Sequence, residues 1–245
     1  MVDAAVLVSA NVEWAAVRLL YPRECYETSP LGEYFICDVA LPEGAMRRVL
    51  VFHGGWGKVR AAASTQYVID HWDPPLIINL GTCGGFEDIT KRFAIVLATK
   101  TVIYDIVERM GNPDEASAEY STEIDLGWLG GRDPEDVQRG VLASADQDLD
   151  PAAIATLRSK YGAIAADWES GAIAYTAQRY GKRILIIRGV TDLVGPRGGE
   201  AYGKIAVYRR NTETVMKRMF ADLPFWLHRV RMDNSVNLGS TAKSQ

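Results

Sequence analysis

The sequence contains few cysteines and no long apolar segment. Its three cysteines, Cys25, Cys37 and Cys83, are an odd number without metal-ligand spacing. We therefore expect no disulfide framework and a reducing compartment. Residues 1–10 lack the basic and long apolar stretches of a signal peptide, and no run approaches the roughly 18 apolar residues that span a bilayer. These absences predict a soluble, cytoplasmic protein with no membrane partner.

Neither sign of charge is concentrated in one part of the chain. Lysine and arginine number 27 against 31 aspartates and glutamates, for a net charge of −4. Short basic pairs such as Arg47-Arg48 are typical of solvated faces rather than of a nucleic-acid surface. The composition therefore argues against nucleic acid as a partner, and we expect no metal ion and no cofactor.

The common nucleotide-binding fingerprints are also missing. Gly54-Gly55-Trp56-Gly57-Lys58 follows a predicted strand and opens a predicted helix, where backbone N–H groups favour an anion. It matches neither the dinucleotide fingerprint nor the P-loop, since no serine or threonine follows Lys58. A tight turn that leads into a helix is the simpler interpretation, and the missing fingerprint argues against a dinucleotide enzyme.

Strand-like apolar runs alternate with helical spacing along the 245 residues, 48% of which are hydrophobic. This alternation predicts an α/β fold with a mostly parallel core sheet. We expect one domain over residues 1–232, a polar tail over 233–245, and a surface excursion at 109–136. The predicted strands cover 5–10, 34–39, 47–53, 76–80, 93–104, 141–145 and 184–190, and the predicted helices 13–20 (capped by Asn11), 58–71, 151–161, 170–181 and 201–229 (interrupted at Pro224).

Two acidic positions lie where neighbouring strands are predicted to end. Asp167-Trp168-Glu169 follows one apolar run and Thr191-Asp192 follows another, with a helix between them. The carboxyl ends of parallel strands meet at one edge of a sheet, where ligands bind. Glu169 and Asp192 are therefore expected to face one cavity with Arg188 close by, an arrangement suited to acid–base work. The alternative is a helix cap at Asp167 or Glu169 and a turn at Asp192.

Two further segments follow predicted strands. Glu13 comes just after the first strand, where an acid also suits a first helical turn. Small residues at Gly81-Thr82-Cys83-Gly84-Gly85 leave room for a ligand and offer a hydroxyl and N–H groups. Cys83 has no histidine near it in sequence, so a buried thiol is the ordinary interpretation.

Six segments in register resemble the nucleoside phosphorylase/nucleosidase superfamily, and within it the 5′-methylthioadenosine/S-adenosylhomocysteine nucleosidases. The resemblance covers residues 5 to about 195. The segments are Val8-Ser9-Ala10-Asn11-Val12-Glu13, Gly55-Trp56-Gly57-Lys58-Val59-Arg60-Ala61-Ala62, Asn79-Leu80-Gly81-Thr82-Cys83-Gly84-Gly85-Phe86, Ala143-Ser144-Ala145-Asp146-Gln147, Asp167-Trp168-Glu169-Ser170-Gly171-Ala172-Ile173-Ala174 and Arg188-Gly189-Val190-Thr191-Asp192.

The resemblance implies a three-layer α/β/α domain with a mixed sheet, usually a homodimer, that cleaves an N-glycosidic bond. By matching position, Asp192 would serve N7 of a purine leaving group, and Glu169 would hold the ribose hydroxyls and stabilise the ribosyl cation. Glu13, helped by Arg188, would activate the attacking water. Asp192 must then carry or share a proton at neutral pH, so burial must raise its pKa above about 3.9.

The resemblance also implies the residues that line the substrate site. Thr82 and its neighbours Cys83 and Gly84 would line the sugar and nucleophile region, and Trp168 would pack on the ribose face. Trp168 stands where methionine is common and Trp56 where a smaller apolar residue is usual near the 5′ substituent. The stretch that faces the base, Gln147-Asp148-Leu149-Asp150, lacks the usual aromatic. These departures leave the preferred base and 5′ group open.

Two alternatives remain beside hydrolysis. A phosphorylase would need an anion pocket, yet the early Gly-Asp-Pro-x-Arg segment of such relatives is missing. Glu13 occupies the region where the nucleophile enters, and two like charges about 4 Å apart repel by roughly 4 kcal/mol at an effective dielectric of 20. The second alternative is a nucleoside-binding protein without turnover. The three acids together favour a hydrolase.

Overall fold

The computed structural model describes residues 1–230, so the predicted domain end at 232 and the tail 233–245 lie outside the described residues. The strands are β1 Ala4–Val8, β2 Glu27–Ser29, β3 Gly32–Ala40, β4 Met46–His53, β5 Leu76–Phe86, β6 Ile95–Ile103, β7 Ser121–Glu123, β8 Val137–Ser144, β9 Ala163–Asp167, β10 Arg183–Gly195 and β11 Gly198–Gly199. The helices are α1 Asn11–Leu20, α2 Gly57–Trp72, α3 Pro113–Glu119, α4 Ile154–Tyr161, α5 Ser170–Arg179, α6 Ile205–Ala221 and α7 Leu223–His228, with a 3₁₀ turn at Pro151–Ala153.

The strands form one mixed sheet. Its order is β11-β10-β6-β8-β9-β5-β1-β4-β3-β2, and β10 also pairs with β5, so β5, β9, β8, β6 and β10 close into a ring. β5 runs parallel to both β1 and β10, while β9 and β6 pair antiparallel with β5 and β10. The predicted α/β architecture with a mixed sheet is confirmed.

Helices cover both faces of the sheet. On one face, Trp14 and Val17 of α1 pack with Met219 of α6 and with α7. On the other face, Val68 of α2 packs with Ile173 of α5. Because β1, β5 and β10 are parallel neighbours, their carboxyl ends meet at one edge between these two helical layers. The residues that follow or end these strands are thereby brought together.

Two strands are longer than the sequence suggested. β5 continues through Gly84 and Gly85, which were expected to follow the strand, and β10 continues past Asp192 to Gly195. Neighbouring side chains leave little space for a Cβ atom at these positions of the strand. A Cβ atom on Gly85 would lie 2.2 Å from Thr90 Oγ1 and 2.7 Å from Val190 Cγ1. Crowding by neighbouring side chains explains the glycine at position 85.

Other local predictions need correction. Ala10, not Asn11, is the N-cap of α1. The long carboxy-terminal helix breaks at Asp222, and Pro224 lies in the first turn of α7, where its missing N–H costs nothing. The 109–136 segment is not only a surface excursion, because it contains α3 and β7 and buries Thr122 and Leu129. No helix within residues 1–230 is long and apolar enough to cross a membrane.

Candidate active site

A cavity of about 600 Å³ opens at the edge where β1, β5 and β10 end. Its volume lies in the range of small-molecule sites. Glu13, Glu169 and Asp192 all line it, so three acids distant in sequence share one hollow. The other predicted substrate-binding residues line it as well: Trp56, Thr82, Cys83, Gly84, Leu149 and Trp168.

Glu13 is held at the start of α1 by four hydrogen bonds. Its Oε1 accepts from the backbone N–H of Thr82 at 2.6 Å and from the Thr82 hydroxyl at 2.8 Å. Its Oε2 accepts from the N–H groups of Ala10 at 2.9 Å and Ser9 at 3.3 Å. The carboxylate therefore both caps α1 and joins α1 to β5, with the Ser9 contact the weakest of the four.

Arg188 is fully buried and does not line the cavity. Its Nε lies 2.8 Å from Asp167 Oδ2 and donates to the Ser170 hydroxyl at 2.9 Å. Its terminal nitrogens are 3.8 Å from Glu13 Oε1 and 3.6 Å from Glu169 Oε2. Within residues 1–230 its Nη2 has no hydrogen-bond partner. The main carboxylate partner of Arg188 is thus Asp167, and a buried donor is left unsatisfied beside Glu169.

Gly81 makes room for this arrangement. A Cβ atom at that position would lie 2.0 Å from Arg188 Nη1 and 2.9 Å from Glu13 Oε1. Since such contacts are far inside van der Waals distance, a side chain at Gly81 would push the guanidinium away from Glu13. The backbone of β5 thereby forms one wall of the acid–arginine cluster.

Glu169 lies at the junction between β9 and α5. It is 6% exposed, and burial raises its pKa from 4.5 to about 8; Arg188 and the Gly57 N–H oppose that rise, while Asp167 and Glu13 add to it. Gly57 N–H, in the first turn of α2, donates to Glu169 Oε1 at 3.1 Å. A pKa of about 8 favours the protonated form of this carboxyl group at neutral pH.

Asp192 follows an irregularity in β10. The register against β5 steps between Val190, opposite Cys83, and Asp192, opposite Gly84, so Thr191 is an extra residue, as in a β-bulge. Burial raises the pKa of Asp192, and nearby Glu200 and Asp148 add to the rise. The Thr191 hydroxyl, which donates to Asp192 Oδ1 at 2.8 Å, opposes it. The direction is the one that a proton-carrying acid requires.

The glycine-rich start of α2 is already bound by protein carboxylates. Lys58 N–H donates to Asp146 Oδ1 at 2.7 Å, while Gly57 N–H binds Glu169. The Lys58 ammonium group lies 2.5 Å from Asp105 and 3.0 Å from Asp146. These contacts favour the interpretation of residues 54–58 as a turn that leads into a helix, rather than as a phosphate loop.

The remaining predicted residues take different places on the wall. Burial raises the pKa of the Cys83 thiol, which therefore stays protonated, as expected of a structural cysteine. Trp168 is half-buried, and Trp56 is 53% exposed at the N-cap of α2. Leu149 is buried, and its carbonyl accepts a 2.5 Å hydrogen bond from the Tyr202 hydroxyl.

Several cavity residues were missed from the sequence. Tyr202 and Tyr208 line the wall, and the Tyr208 hydroxyl lies 3.2 Å from the Thr82 hydroxyl. Both lie in or next to α6, whose sequence has helical spacing but no motif that points to a site. Asp167 was considered only as a helix cap. It does accept from Ser170 N–H at 3.2 Å, but it also binds Arg188. An acid two residues before Glu169 was the available signal.

Comparison with known proteins identifies the family of this chain. The family model described as the phosphorylase superfamily matches residues 13–221. The chain belongs to the phosphorylase superfamily. Within residues 1–230, no group of three or more histidine, cysteine, aspartate or glutamate side chains is arranged to hold a metal ion.

Curated members of the phosphorylase superfamily resemble most of the chain. A 5′-methylthioadenosine/S-adenosylhomocysteine nucleosidase of Marinomonas sp. is 24% identical over 87% of this chain and 96% of its own. The enzyme of that name from Bacillus pumilus is 26% identical over 64% of this chain and 73% of its own. Among solved structures, the Streptococcus pneumoniae nucleosidase with a transition-state inhibitor has a TM-score of 0.71 at 17% identity, covering 92% of this chain and 98% of that one. These structures share the fold.

Proposed function

We propose that this protein hydrolyses the N-glycosidic bond of a purine nucleoside of the 5′-methylthioadenosine or S-adenosylhomocysteine type, releasing the free base and a ribosyl product. The observation that carries the proposal is the convergence of Glu13, Glu169 and Asp192 on one cavity. Curated relatives named as nucleosidases for these two compounds support the substrate class. Heterolysis of a bond to ribose produces an oxocarbenium-like cation, which an ionised carboxylate stabilises, and an anionic base, which needs a proton donor.

Asp192 serves the leaving base. Burial raises its pKa, which favours the protonated form that can hydrogen-bond or protonate a purine nitrogen as the C–N bond breaks. Leu149 and Tyr202, joined by their hydrogen bond, line the wall on this side. They supply the apolar surface that a planar base requires.

Glu169 and Trp168 serve the ribose. The buried carboxyl of Glu169, whose pKa is raised to about 8, makes hydrogen bonds to the ribose hydroxyls. The ionised form, which has released its proton to solvent, stabilises the positive charge that develops on the sugar. The indole of Trp168, next to Glu169 on the cavity wall, packs on the ribose face.

Glu13 orients the attacking water. Its weakest hydrogen bond, from Ser9 at 3.3 Å, is the one that a water displaces most easily. Arg188 lies behind the cavity wall with its Nη1 3.8 Å from Glu13 Oε1, and its positive charge helps to hold the Glu13 carboxylate in place. Thr82, Cys83 and Gly84 form the wall that confines the water beside the sugar.

Water is favoured over phosphate by the local charge. Glu13, Asp167 and Glu169 surround a single cation, Arg188, whose strongest contact is with Asp167. A phosphate dianion would enter beside the carboxylates of Glu13 and Asp167, and the guanidinium of Arg188 already has its shortest contact with Asp167. Like charges in such a partly buried site repel by several kcal/mol.

The assembly that best fits the surface is a homodimer. Trp56 and Val59, at the first turn of α2, are 53% and 81% exposed beside the cavity mouth. Val107 and Met110 lie on the loop that the Asp105–Lys58 ion pair ties to this turn, and they are 64% and 96% exposed. A second copy covers this apolar area. Light scattering after size-exclusion chromatography tests the dimer, and a monomeric wild type would contradict it. Val59→Glu is expected to dissociate the dimer.

The proposed location is the cytoplasm. Cys25, Cys37 and Cys83 are all unpaired, with Cys25 exposed. Exposed free thiols fit a reducing compartment. Fractionation of cells that produce the native protein tests the location.

The decisive experiment is a panel of purine nucleosides that differ in base and 5′ group, incubated with and without phosphate. Release of free base with free ribosyl product, independent of phosphate, is expected. Phosphate-dependent formation of a ribosyl phosphate would make the protein a phosphorylase instead. Tight binding without base release would make it a nucleoside-binding protein. Asp192→Asn serves as the inactive control throughout.

A further inference from the structure

The irregularity in β10 places a backbone carbonyl where a regular strand would not. Thr191 is the extra residue between the Cys83–Val190 and Gly84–Asp192 pairs. The extra residue of a bulge loses its regular place in the ladder and re-aims the side chains that follow. The aim of the Asp192 carboxyl therefore depends on what holds Thr191.

A side chain from α6 holds it. Asn211 Nδ2 donates to the Thr191 carbonyl oxygen at 2.8 Å. Asn211 is 4% exposed and does not line the cavity. A buried amide with a buried carbonyl as its partner is a costly contact to lose, because both groups would remain desolvated.

Thr191 connects Asn211 to the Asp192 carboxyl. Its hydroxyl donates to Asp192 Oδ1 at 2.8 Å and lies 3.4 Å from the Cys83 carbonyl oxygen of β5. The Thr191 backbone is thus fixed from α6 while its side chain contacts both β5 and the carboxyl. Rotation of the Thr191 peptide would move the hydroxyl and the carboxyl together.

We propose that Asn211 is a positioning residue that holds the Thr191 bulge and thereby directs the Asp192 carboxyl at the leaving base. The inference rests on the proposed function, since it assigns Asp192 to the base. It predicts that Asn211 contributes to turnover only through Asp192. Asn211 touches no substrate and its loss leaves the ribose contacts in place, so kcat falls while KM changes little.

A double-mutant cycle tests this route. Asn211→Ala is expected to lower kcat about 10- to 100-fold, the range for a misplaced catalytic group. In the Asp192→Asn background the same change is expected to have no further effect, since non-additivity reveals a shared path. Equal losses in both backgrounds would overturn the proposal. Asn211→Asp, which has the same shape but lacks the N–H donor when ionised, should behave as Asn211→Ala does.

A matched control separates positioning from stability. Met219→Ala removes a buried side chain from α6, two turns beyond Asn211. It is expected to lower the thermal midpoint as much as Asn211→Ala does while leaving kcat near that of the wild type. A loss of kcat in Met219→Ala as large as that in Asn211→Ala would assign the effect to helix stability and contradict the proposal.

A crystal structure of Asn211→Ala tests the positioning of Asp192 without an activity measurement. A rotated Thr191 peptide and a displaced Asp192 carboxyl are expected, and an unchanged carboxyl would overturn the proposal. If the wild type cleaves no nucleoside in the panel, the proposed function fails on that result alone. The crystal structure still tests whether Asn211 positions Asp192.

Discussion

Glu169 allows a direct test of the electrostatics of the site. Its pKa is raised by burial from 4.5 to about 8. Below pH 4.5 the carboxyl is neutral in both the folded and the unfolded chain, so it contributes no pH dependence. Between pH 4.5 and 8 the unfolded chain ionises while the folded one does not. The folded protein therefore loses about 1.4 kcal/mol of stability per pH unit across that window because of Glu169.

Glu169→Gln removes this titration with little change of shape. The amide oxygen can still accept from Gly57 N–H, the contact that Glu169 Oε1 makes at 3.1 Å. The free energies of unfolding of the two proteins, measured in urea at fixed protein concentration, are compared from pH 5 to 8. Other groups titrate in both proteins and cancel in the difference. From pH 5 to pH 8, the free energy of unfolding of the variant is expected to rise by about 3 to 4 kcal/mol relative to that of the wild type.

Glu33→Gln is the matched control. The pKa of Glu33 is lowered, chiefly by its hydrogen bond from Trp14. Because its pKa is lowered, Glu33 stabilises the folded protein above the ordinary carboxyl pKa of 4.5, and this stabilisation is lost only in acid. Its difference from the wild type should thus stay level from pH 5 to 8. A level curve for Glu169→Gln would mean that Glu169 is ionised and compensated in the folded protein, and would refute the reasoning.

The remaining predictions concern turnover. Asp192→Asn should keep the fold, judged by circular dichroism, yet lower kcat at least about 10²-fold, the lower range for a lost acid; wild-type rates would remove Asp192 from the mechanism. Glu13→Gln should impair hydrolysis similarly, and normal turnover would reassign water activation. Gly81→Ala should lower both activity and stability, the latter by about 1–3 kcal/mol through overpacking. Gly111→Ala, whose added Cβ would meet nothing nearer than 3.9 Å, should change neither activity nor stability. In the wild type, kcat/KM should rise with pH towards about 8 as Glu169 ionises; a flat profile there would contradict an anionic role for Glu169.

The site residues that could be predicted from the sequence are those that follow or end a strand. Glu13, Thr82 and Asp192 belong to three short segments that follow or end apolar runs, and parallel neighbours β1, β5 and β10 bring those segments together. The alternation of strands and helices was enough to indicate that convergence. The predicted site residues accordingly lie on the cavity wall, apart from Arg188, which lies behind it.

The remaining features depend on contacts that no single segment encodes. The step in register at Thr191 is a relation between β10 and β5, and neither sequence shows it alone. Asp167 is the main partner of Arg188 because the start of α5 packs beside β10, whereas the sequence analysis placed Arg188 near Glu169 and Asp192 and did not predict this pair. Tyr208 reaches Thr82 from α6, which is 126 residues away in sequence. Such pairings are decided by how the layers pack.

The charges of the buried cluster also suggest why its acids are arranged as they are. Glu13, Asp167 and Glu169 surround one arginine, and full ionisation of all three would leave an excess of negative charge in a buried space. Burial instead raises the pKa of Glu169 to about 8, which favours its protonated form at neutral pH. The ionised form of Glu169, once its proton has passed to solvent, is stabilised by the positive charge that develops on a bound ribose. We infer that Glu169 stabilises the transition state more than the bound substrate, which is the condition for an interaction to raise kcat. A loss in Glu169→Gln that falls on KM alone would contradict this inference.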